Sequence, residues 1–275
     1  MNKKIISLFI ILFRLITRFP SRILFGNLNK FHYNIIPYFH LFYWKLISKK
    51  DEFNKNGFIK INFNQKRELI EKIKSQFDKQ IKDSSKIFYS GGDRKKISLK
   101  NPLEIKGILK LHDIFKDILN DYYEGNYKVE TISCWRTMYD KSRENKKEDY
   151  IFSNYWHFDD FNCGNLKVFI LMNEFTDHNS GSTKLINKRN TKFLTRSFKF
   201  LDTSISNFSL NEFAKKNKMI VSCDGKLGDT YVVNTTKCLH SASIPQRGKY
   251  RDLIQFEISF SSSVKNPFDK LSFKN

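Results

Sequence analysis

The chain has 275 residues, of which 40% are hydrophobic and 15% aromatic, and this composition excludes wholesale disorder. A chain of this length forms one larger all-β domain or at most two small domains. The net charge is +21, but lysines are spread along the chain among Asn and Ile, with no zinc-finger or helix-turn-helix pattern, so nucleic acid is an unexpected partner.

Two features of the sequence concern cellular location. The four cysteines, Cys134, Cys163, Cys223 and Cys238, contain no C-x-x-C pair, which indicates small buried residues in a reducing cytoplasm. The first nineteen residues place Ile, Leu and Phe around most of a helix, with Lys3, Lys4, Arg14 and Arg18 in one sector. We expect this helix either to lie on the inner, anionic face of a membrane or to pack against its own domain.

We expect three regions along the chain: an apolar, basic, membrane-proximal or docking segment (1–50), a main domain (51–263) and a tail (264–275). Apolar residues at helical spacing predict helices over 64–83 and 105–123. Short runs rich in Val, Ile, Phe, Tyr or Thr predict strands over 128–138, 166–173, 219–222, 230–234 and 252–260. Helices followed by strands indicate an α+β protein with a double-stranded β-helix core (a cupin-like jelly roll) covered by N-terminal helices.

Two polar stretches interrupt this pattern. Residues 141–149 form a run of charges, and residues 187–217 are rich in Ser and Lys. Both are expected to be loops, and long insertions of this kind often form lids or bind ligands.

The segment YWHFDDF carries the clearest chemical signal. His157 and Asp159 are two residues apart, so on a strand both side chains leave one face while Phe158 points to the other. A second histidine would complete a two-His, one-carboxylate triad, which binds iron(II) on one face and leaves other positions open. His240, which follows the predicted strand TYVVN, is the candidate.

Arginine is suited to an anionic co-substrate because its planar guanidinium can pair with both oxygens of a carboxylate. Arg251 lies eleven residues beyond His240 and opens a predicted strand, whereas Arg247 lies in the turn IPQRG and is the second choice. The remaining candidates are expected not to bind metal: Asp160 is out of phase with the two strand ligands, His178 lies in a polar loop, and His112 lies on a predicted helix.

The order of these elements resembles the phytanoyl-CoA dioxygenase family. The resemblance rests on Trp156-His157-Phe158-Asp159, the strand LKVFILMN, the polar turn TDHNSGS, Gly228-Asp229, His240 and Arg251, and it extends from FNKNGFIKI to about Phe260. It implies Fe(II) held by His157, Asp159 and His240, 2-oxoglutarate held by Arg251, and O2-dependent hydroxylation of a C–H bond. The substrate would be a small molecule, a lipid-linked compound or a saccharide.

Two departures limit what the resemblance implies. The family often has a P-G-S-H-like turn where this chain has LINKRN, and a hydroxyl residue where this chain has Ala242, so no serine contact is carried over. Asp159 fills the position that halogenation would need vacant, which favours hydroxylation. A non-catalytic metal- or ligand-binding jelly roll associated with a membrane remains the alternative, since fold does not imply function.

Overall fold

The computed structural model describes residues 52–62, 67–89, 96–139, 155–159, 164–197, 204–262, 266–269 and 271. The predictions made for residues 1–50, for the loop at 141–149 and for most of the tail lie outside these ranges. The proposed boundaries of the three regions therefore stay predictions. Within the described ranges, no helix combines the length and the apolar character needed to cross a membrane.

Helices precede and interrupt the strands. The α-helices are α1 (Glu52–Asn56), α2 (Arg67–Gln80), α3 (Lys116–Tyr123), α4 (Lys188–Ser197) and α5 (Ser204–Lys216), and short 3-10 helices span Ser84–Lys86, Pro102–Glu104 and Ile108–Ile114. The strands are β1 (Phe58–Ile61), β2 (Ile87–Tyr89), β3 (Lys96–Leu99), β4 (Tyr127–Met138), β5 (Leu166–Leu171), β6 (Phe175–Thr176), β7 (Thr183–Ile186), β8 (Ile220–Ser222), β9 (Gly225–Lys226), β10 (Thr230–Val233), β11 (His240–Ala242) and β12 (Tyr250–Phe260).

Two antiparallel sheets enclose the core. The larger sheet has the strand order β1-β10-β5-β12-β4-β3-β2, and the smaller one has the order β11-β7-β8, with β6 and β9 paired separately. Buried side chains of both sheets form one cluster, in which Trp135, Phe169 and Leu253 come from the larger sheet and Leu185 from the smaller. This cluster defines the interior face of each sheet, and the arrangement is the predicted jelly roll.

The predicted strands are confirmed. Each of the five is present, and its ends differ from the prediction by at most two residues. The first predicted helix is also confirmed, as α2, and its apolar residues Ile70, Ile73 and Phe77 are buried. The outer face of the larger sheet contacts the helices, since the rings of Phe115 and Phe256 meet edge to face at 5.2 Å.

The prediction of one continuous helix over 105–123 was wrong. Residues 105–123 form a 3-10 helix followed by the short helix α3, and the chain enters the 3-10 helix through Gly107 at φ +90°. That conformation is accessible to glycine but unfavourable for other residues. The backbone of Phe115, with φ −128° and ψ 2°, then separates the two elements. Both elements bury residues at helical spacing, so the sequence pattern does not reveal the break.

The prediction of a loop over 187–217 was also wrong, because most of this stretch forms α4 and α5. Leu194 of α4 and Leu210 and Ala214 of α5 are fully buried, and they pack with Trp156 and Leu239. Apolar residues such as these can therefore anchor two helices in a sequence otherwise rich in Ser and Lys. These tertiary contacts outweighed the local secondary-structure propensity of the sequence.

A buried ionic cluster joins α2 to the larger sheet. Arg136 on β4 donates from Nε and Nη2 to both carboxylate oxygens of Asp252, at 2.7 Å each, and from Nη2 to Asp78 of α2 at 2.8 Å. The side chain of Asp252 is completely buried, and Lys74 lies 3.3 Å from it. The cluster fixes the start of β12, where Arg251 precedes Asp252.

We expect Arg136→Met to lower the free energy of unfolding by about 3 kcal/mol, because it leaves the buried Asp252 carboxylate without its bidentate partner. Chemical denaturation would measure the loss. Lys86→Met is the matched control: the Lys86–Glu104 pair spans 2.7 Å, but both side chains are more than 40% exposed, so its removal should leave the free energy of unfolding nearly unchanged. Equal losses in the two variants would show that the buried cluster contributes no special stability.

Candidate metal centre

His157 and His240 lie opposite one another in a short antiparallel bridge. The N–H of His157 donates to the carbonyl of His240 at 3.0 Å, and the reciprocal bond is 3.1 Å. Directly opposed residues of an antiparallel pair project their side chains to the same face. The two imidazole rings accordingly lie 4.2 Å apart, centroid to centroid.

Asp159 joins this pair. Its backbone N–H donates to the carbonyl of Thr235 at 3.2 Å, and its Oδ1 lies 3.6 Å from Nε2 of His240. One potential ligand atom from each of His157, Asp159 and His240 lies within 4.8 Å of the other two. Trp156 and Phe158, which alternate with these residues, pack in a separate hydrophobic cluster. The structure therefore brings together the three residues that the sequence singled out.

Backbone carbonyls orient both imidazole rings. Nδ1 of His157 lies 2.7 Å from the carbonyl of Tyr155, and Nδ1 of His240 lies 3.2 Å from the carbonyl of Cys238. A carbonyl only accepts hydrogen bonds, so each Nδ1 carries the proton and each neutral ring keeps its lone pair on Nε2. Histidine ligands of metals are commonly fixed in this way. The donor set therefore fits a divalent metal.

The environment also sets the charge of these groups. Burial and the neighbouring His240 lower the pKa of His157 to about 4, so its ring is neutral at pH 7. Burial alone would raise the pKa of Asp159, but the neighbouring His240 ring and the charge of Lys167 hold it well below its usual range. At neutral pH the centre thus offers a neutral His157 ring and an ionised Asp159 carboxylate beside His240.

Arg251 is a charged side chain buried in the interior of the protein. It opens β12, is 5% exposed, and donates from Nη1 to the carbonyl of Gly181 at 2.6 Å and to Oγ1 of Thr183 at 3.1 Å. Its Nε is buried without an acceptor among the described residues. Burial lowers its pKa to about 10, which leaves it protonated at pH 7. A buried cation that lacks a carboxylate partner in the described part of the chain fits an anionic ligand.

Strand β7 connects Arg251 to the histidines. His240 is paired directly with Leu185, whose side chain belongs to the core between the sheets. Thr183, which accepts the hydrogen bond from Arg251, lies two residues earlier on the same strand. Side chains two residues apart on a strand share a face and are separated by about 7 Å. The guanidinium and the candidate metal ligands therefore share the space between the two sheets.

The other candidates lie elsewhere. Arg247 is exposed in its turn, which favours Arg251 as the anion-binding residue. Nε2 of His112 lies 2.8 Å from the hydroxyl of Tyr127, as part of an aromatic cluster. His178 belongs to the turn before Gly181, and Asp160 lies outside the described residues.

The cysteines that the structure describes are not positioned as ligands. Cys134, Cys223 and Cys238 are free and buried, as predicted, and Cys163 lies outside the described ranges. Burial raises the pKa of each of the three thiols, that of Cys238 to about 12. They are protonated at pH 7 and behave as small apolar residues.

One residue of the site was not anticipated from the sequence. Lys167 of β5 places its Nζ 2.6 Å from Oδ2 of Asp159. The only sequence signal was a lysine within the otherwise apolar strand LKVFIL, and a buried lysine usually has an acidic partner. That signal indicates an ion pair but does not identify its partner.

No protein-family model matches the chain, and no curated protein is detectably similar to it. Solved structures do resemble it. The non-haem, α-ketoglutarate-dependent epimerase SnoN from nogalamycin biosynthesis is 8% identical with a TM-score of 0.53, over 86% of this chain and 96% of SnoN. EctD from S. alaskensis with bound Fe is 14% identical with a TM-score of 0.53, over 81% of this chain and 79% of EctD.

A third structure, HygX from Streptomyces hygroscopicus with nickel, 2-oxoglutarate and hygromycin B bound, is 13% identical with a TM-score of 0.50, over 77% of this chain and 85% of HygX. At these identities the likeness shows a shared fold. The jelly-roll core predicted from the sequence is thereby confirmed, and the chain has the fold of SnoN, EctD and HygX.

Proposed function

We propose that this protein is an Fe(II)- and 2-oxoglutarate-dependent oxygenase that hydroxylates a C–H bond of a small molecule. The observation that carries the proposal is the convergence of one ligand atom from each of His157, Asp159 and His240 to within 4.8 Å of one another. The fold shared with enzymes named as α-ketoglutarate-dependent supports the same cofactors. The resemblance to the phytanoyl-CoA dioxygenase family noted from the sequence points in the same direction.

Each residue has a definable task in this proposal. His157, Asp159 and His240 would hold the iron through two Nε2 atoms and a carboxylate oxygen, and the facial arrangement leaves positions for two further ligands. The buried guanidinium of Arg251 would bind the far carboxylate of 2-oxoglutarate. With O2 and 2-oxoglutarate, such an iron supplies the oxidising power for C–H hydroxylation, and succinate and CO2 are the co-products.

Hydroxylation is favoured over the other reactions that this fold supports. Structures that resemble this chain include an epimerase and a carbocyclase, so the fold does not determine the outcome. A halogenase needs the position that the carboxylate ligand occupies, and here Asp159 occupies it. Hydroxylation would use this ligand set together with 2-oxoglutarate and O2, and it needs no vacated ligand position.

A polar small molecule, such as a saccharide, fits the site better than an acyl chain. Gln255, Glu257 and Lys167 project from the interior face of the larger sheet, since Gln255 and Glu257 follow Leu253 of the core cluster by two and four residues and so share its face. Lys167 contacts Asp159, and Glu257 lies beside Lys167. These groups can hydrogen-bond to hydroxyl or amino groups, whereas an alkyl chain would desolvate them without compensation. HygX, which shares the fold, was crystallised with hygromycin B bound.

Succinate release tests the proposal. Purified protein with Fe(II), 2-oxoglutarate and ascorbate should form succinate faster when a substrate from a library of saccharides, aminoglycosides, amino-acid derivatives and acyl thioesters is present. Stimulation by acyl thioesters alone would overturn the polar substrate class. Tight binding of 2-oxoglutarate without succinate from any substrate, including slow substrate-independent turnover, would favour the non-catalytic alternative.

We also propose a cytoplasmic location with residues 1–19 on the inner face of a membrane. The basic residues Lys3, Lys4, Arg14 and Arg18 each contribute about 1 kcal/mol near an anionic leaflet, in addition to burial of the apolar side. The full chain should co-sediment with anionic liposomes at low salt, and a chain starting at Asp51 should stay in the supernatant. Equal recovery of both in the supernatant would mean that the segment does not bind membrane.

A further inference from the structure

Lys167 occupies an interior position of the larger sheet. On β5 it precedes Phe169 and Leu171 by two and four residues, and both of these belong to the core between the sheets. The alternation of a strand therefore directs Lys167 to the same face. Its side chain is 20% exposed. A lysine in such a place is costly unless an acidic partner compensates its charge.

Two carboxylates surround its ammonium group. Nζ lies 2.6 Å from Oδ2 of Asp159 and 3.9 Å from Oε1 of Glu257. Glu257 is the direct partner of Lys167 across β12 and β5, and Gln255 donates to its Oε1 at 3.0 Å. The lysine is thus held from the sheet side by Glu257 while it contacts the far oxygen of Asp159.

The two oxygens of Asp159 therefore have different neighbours. Oδ2 contacts the ammonium of Lys167, whereas Oδ1 lies 3.6 Å from Nε2 of His240 and faces the histidines. A carboxylate can bind a metal through one oxygen or through both. Oδ2 thus faces the ammonium group of Lys167, whereas Oδ1 is the oxygen beside the imidazole of His240.

We infer that Lys167 is a positioning residue that restricts Asp159 to one-oxygen coordination and so keeps a metal position open for co-substrate or O2. The inference rests on the proposed metal centre and extends it. Lys167 acts through Asp159. Partners of metal ligands orient the ligands, and their loss typically weakens metal binding by about 10- to 100-fold.

Cobalt(II) binding tests this role without turnover. Lys167→Met keeps the aliphatic stem but removes the ammonium group, and we expect its Co(II) dissociation constant to rise by about 10- to 100-fold. At saturating Co(II), its visible absorption should weaken, because a carboxylate bound through both oxygens raises the coordination number. Lys167→Arg, which retains the charge and a donor, should recover most of the affinity and the wild-type spectrum.

Lys184→Met is the matched control. Lys184 is also a partly buried lysine on a strand, but it alternates with Leu185 and therefore projects to the face opposite His240. Its Co(II) affinity and spectrum should match the wild type. Circular dichroism melting of each variant separates loss of folding from loss of the ligand-orienting contact.

The outcomes distinguish this inference from the proposed function. Wild-type protein that binds no Co(II) would contradict the metal centre itself and the inference with it. If the wild type binds Co(II) and a folded Lys167→Met variant binds equally well with the same spectrum, the centre stands and the role of Lys167 is overturned. The same reduction in Lys167→Arg as in Lys167→Met would also overturn it, because the retained charge would have no effect.

Discussion

Asp159→Ala should bind Fe(II) at least on the order of 100-fold more weakly than the wild type and lose turnover. The substitution removes the one carboxylate of the candidate centre and leaves two neutral imidazoles, which hold a divalent cation poorly. Loss of a residue that merely supports a ligand costs about 10- to 100-fold in metal affinity, so loss of the ligand should cost no less. Anaerobic titration with Fe(II), followed by equilibrium dialysis, measures the change.

Asp121→Ala provides the comparison for this variant, because Asp121 is an exposed carboxylate on α3. Asp121→Ala removes one negative charge, as Asp159→Ala does, and should leave Fe(II) affinity unchanged. Asp159→Ala with wild-type affinity for Fe(II) would exclude Asp159 as a ligand. A similar loss in both variants would indicate that general charge, and no specific site, attracts the metal.

Arg251→Ala should raise the dissociation constant of 2-oxoglutarate by about 30-fold or more. Truncating one partner of a buried, charge-assisted hydrogen bond costs about 2–5 kcal/mol, and about 1.4 kcal/mol corresponds to a factor of ten. The guanidinium is almost fully buried, and its Nε has no acceptor among the described residues, so the bound carboxylate would have a strong and specific partner. Isothermal titration of the Co(II)-loaded protein with 2-oxoglutarate measures the change.

Arg251 also anchors β12 to β7 through Gly181 and Thr183, so its removal needs a structural control. The Co(II) affinity of Arg251→Ala should stay within a few-fold of the wild type if the centre remains intact. Arg247→Ala, which changes an exposed arginine four residues earlier, should leave 2-oxoglutarate binding unchanged. Loss of affinity in Arg247→Ala, with normal affinity in Arg251→Ala, would transfer the role to Arg247.

The three candidate ligands could be found from the sequence because their arrangement depends on local rules. The two-residue spacing of His157 and Asp159 places both on one face of an extended segment, and this requires no knowledge of the rest of the fold. The choice of His240 depended on the order of the strands around it. In the structure, a short antiparallel bridge pairs His240 with His157.

Other features depended on contacts that the sequence does not encode locally. Lys167 contacts Asp159 because the pairing of β5 within the larger sheet places it at the site, and a charged residue in an apolar strand does not identify its partner. Helices α4 and α5 are anchored by buried side chains such as Leu194 and Leu210, although their sequences are rich in Ser and Lys and resemble a loop. Tertiary packing stabilises these two helices.

The position of a bound metal tests the central claim most directly. A crystal structure with Ni(II) and 2-oxoglutarate, with the metal located by anomalous scattering, should place Ni(II) about 2.0–2.2 Å from Nε2 of His157, Nε2 of His240 and one oxygen of Asp159. The far carboxylate of 2-oxoglutarate should contact Arg251. Strong anomalous density elsewhere, with no metal between the two imidazoles, would contradict the account.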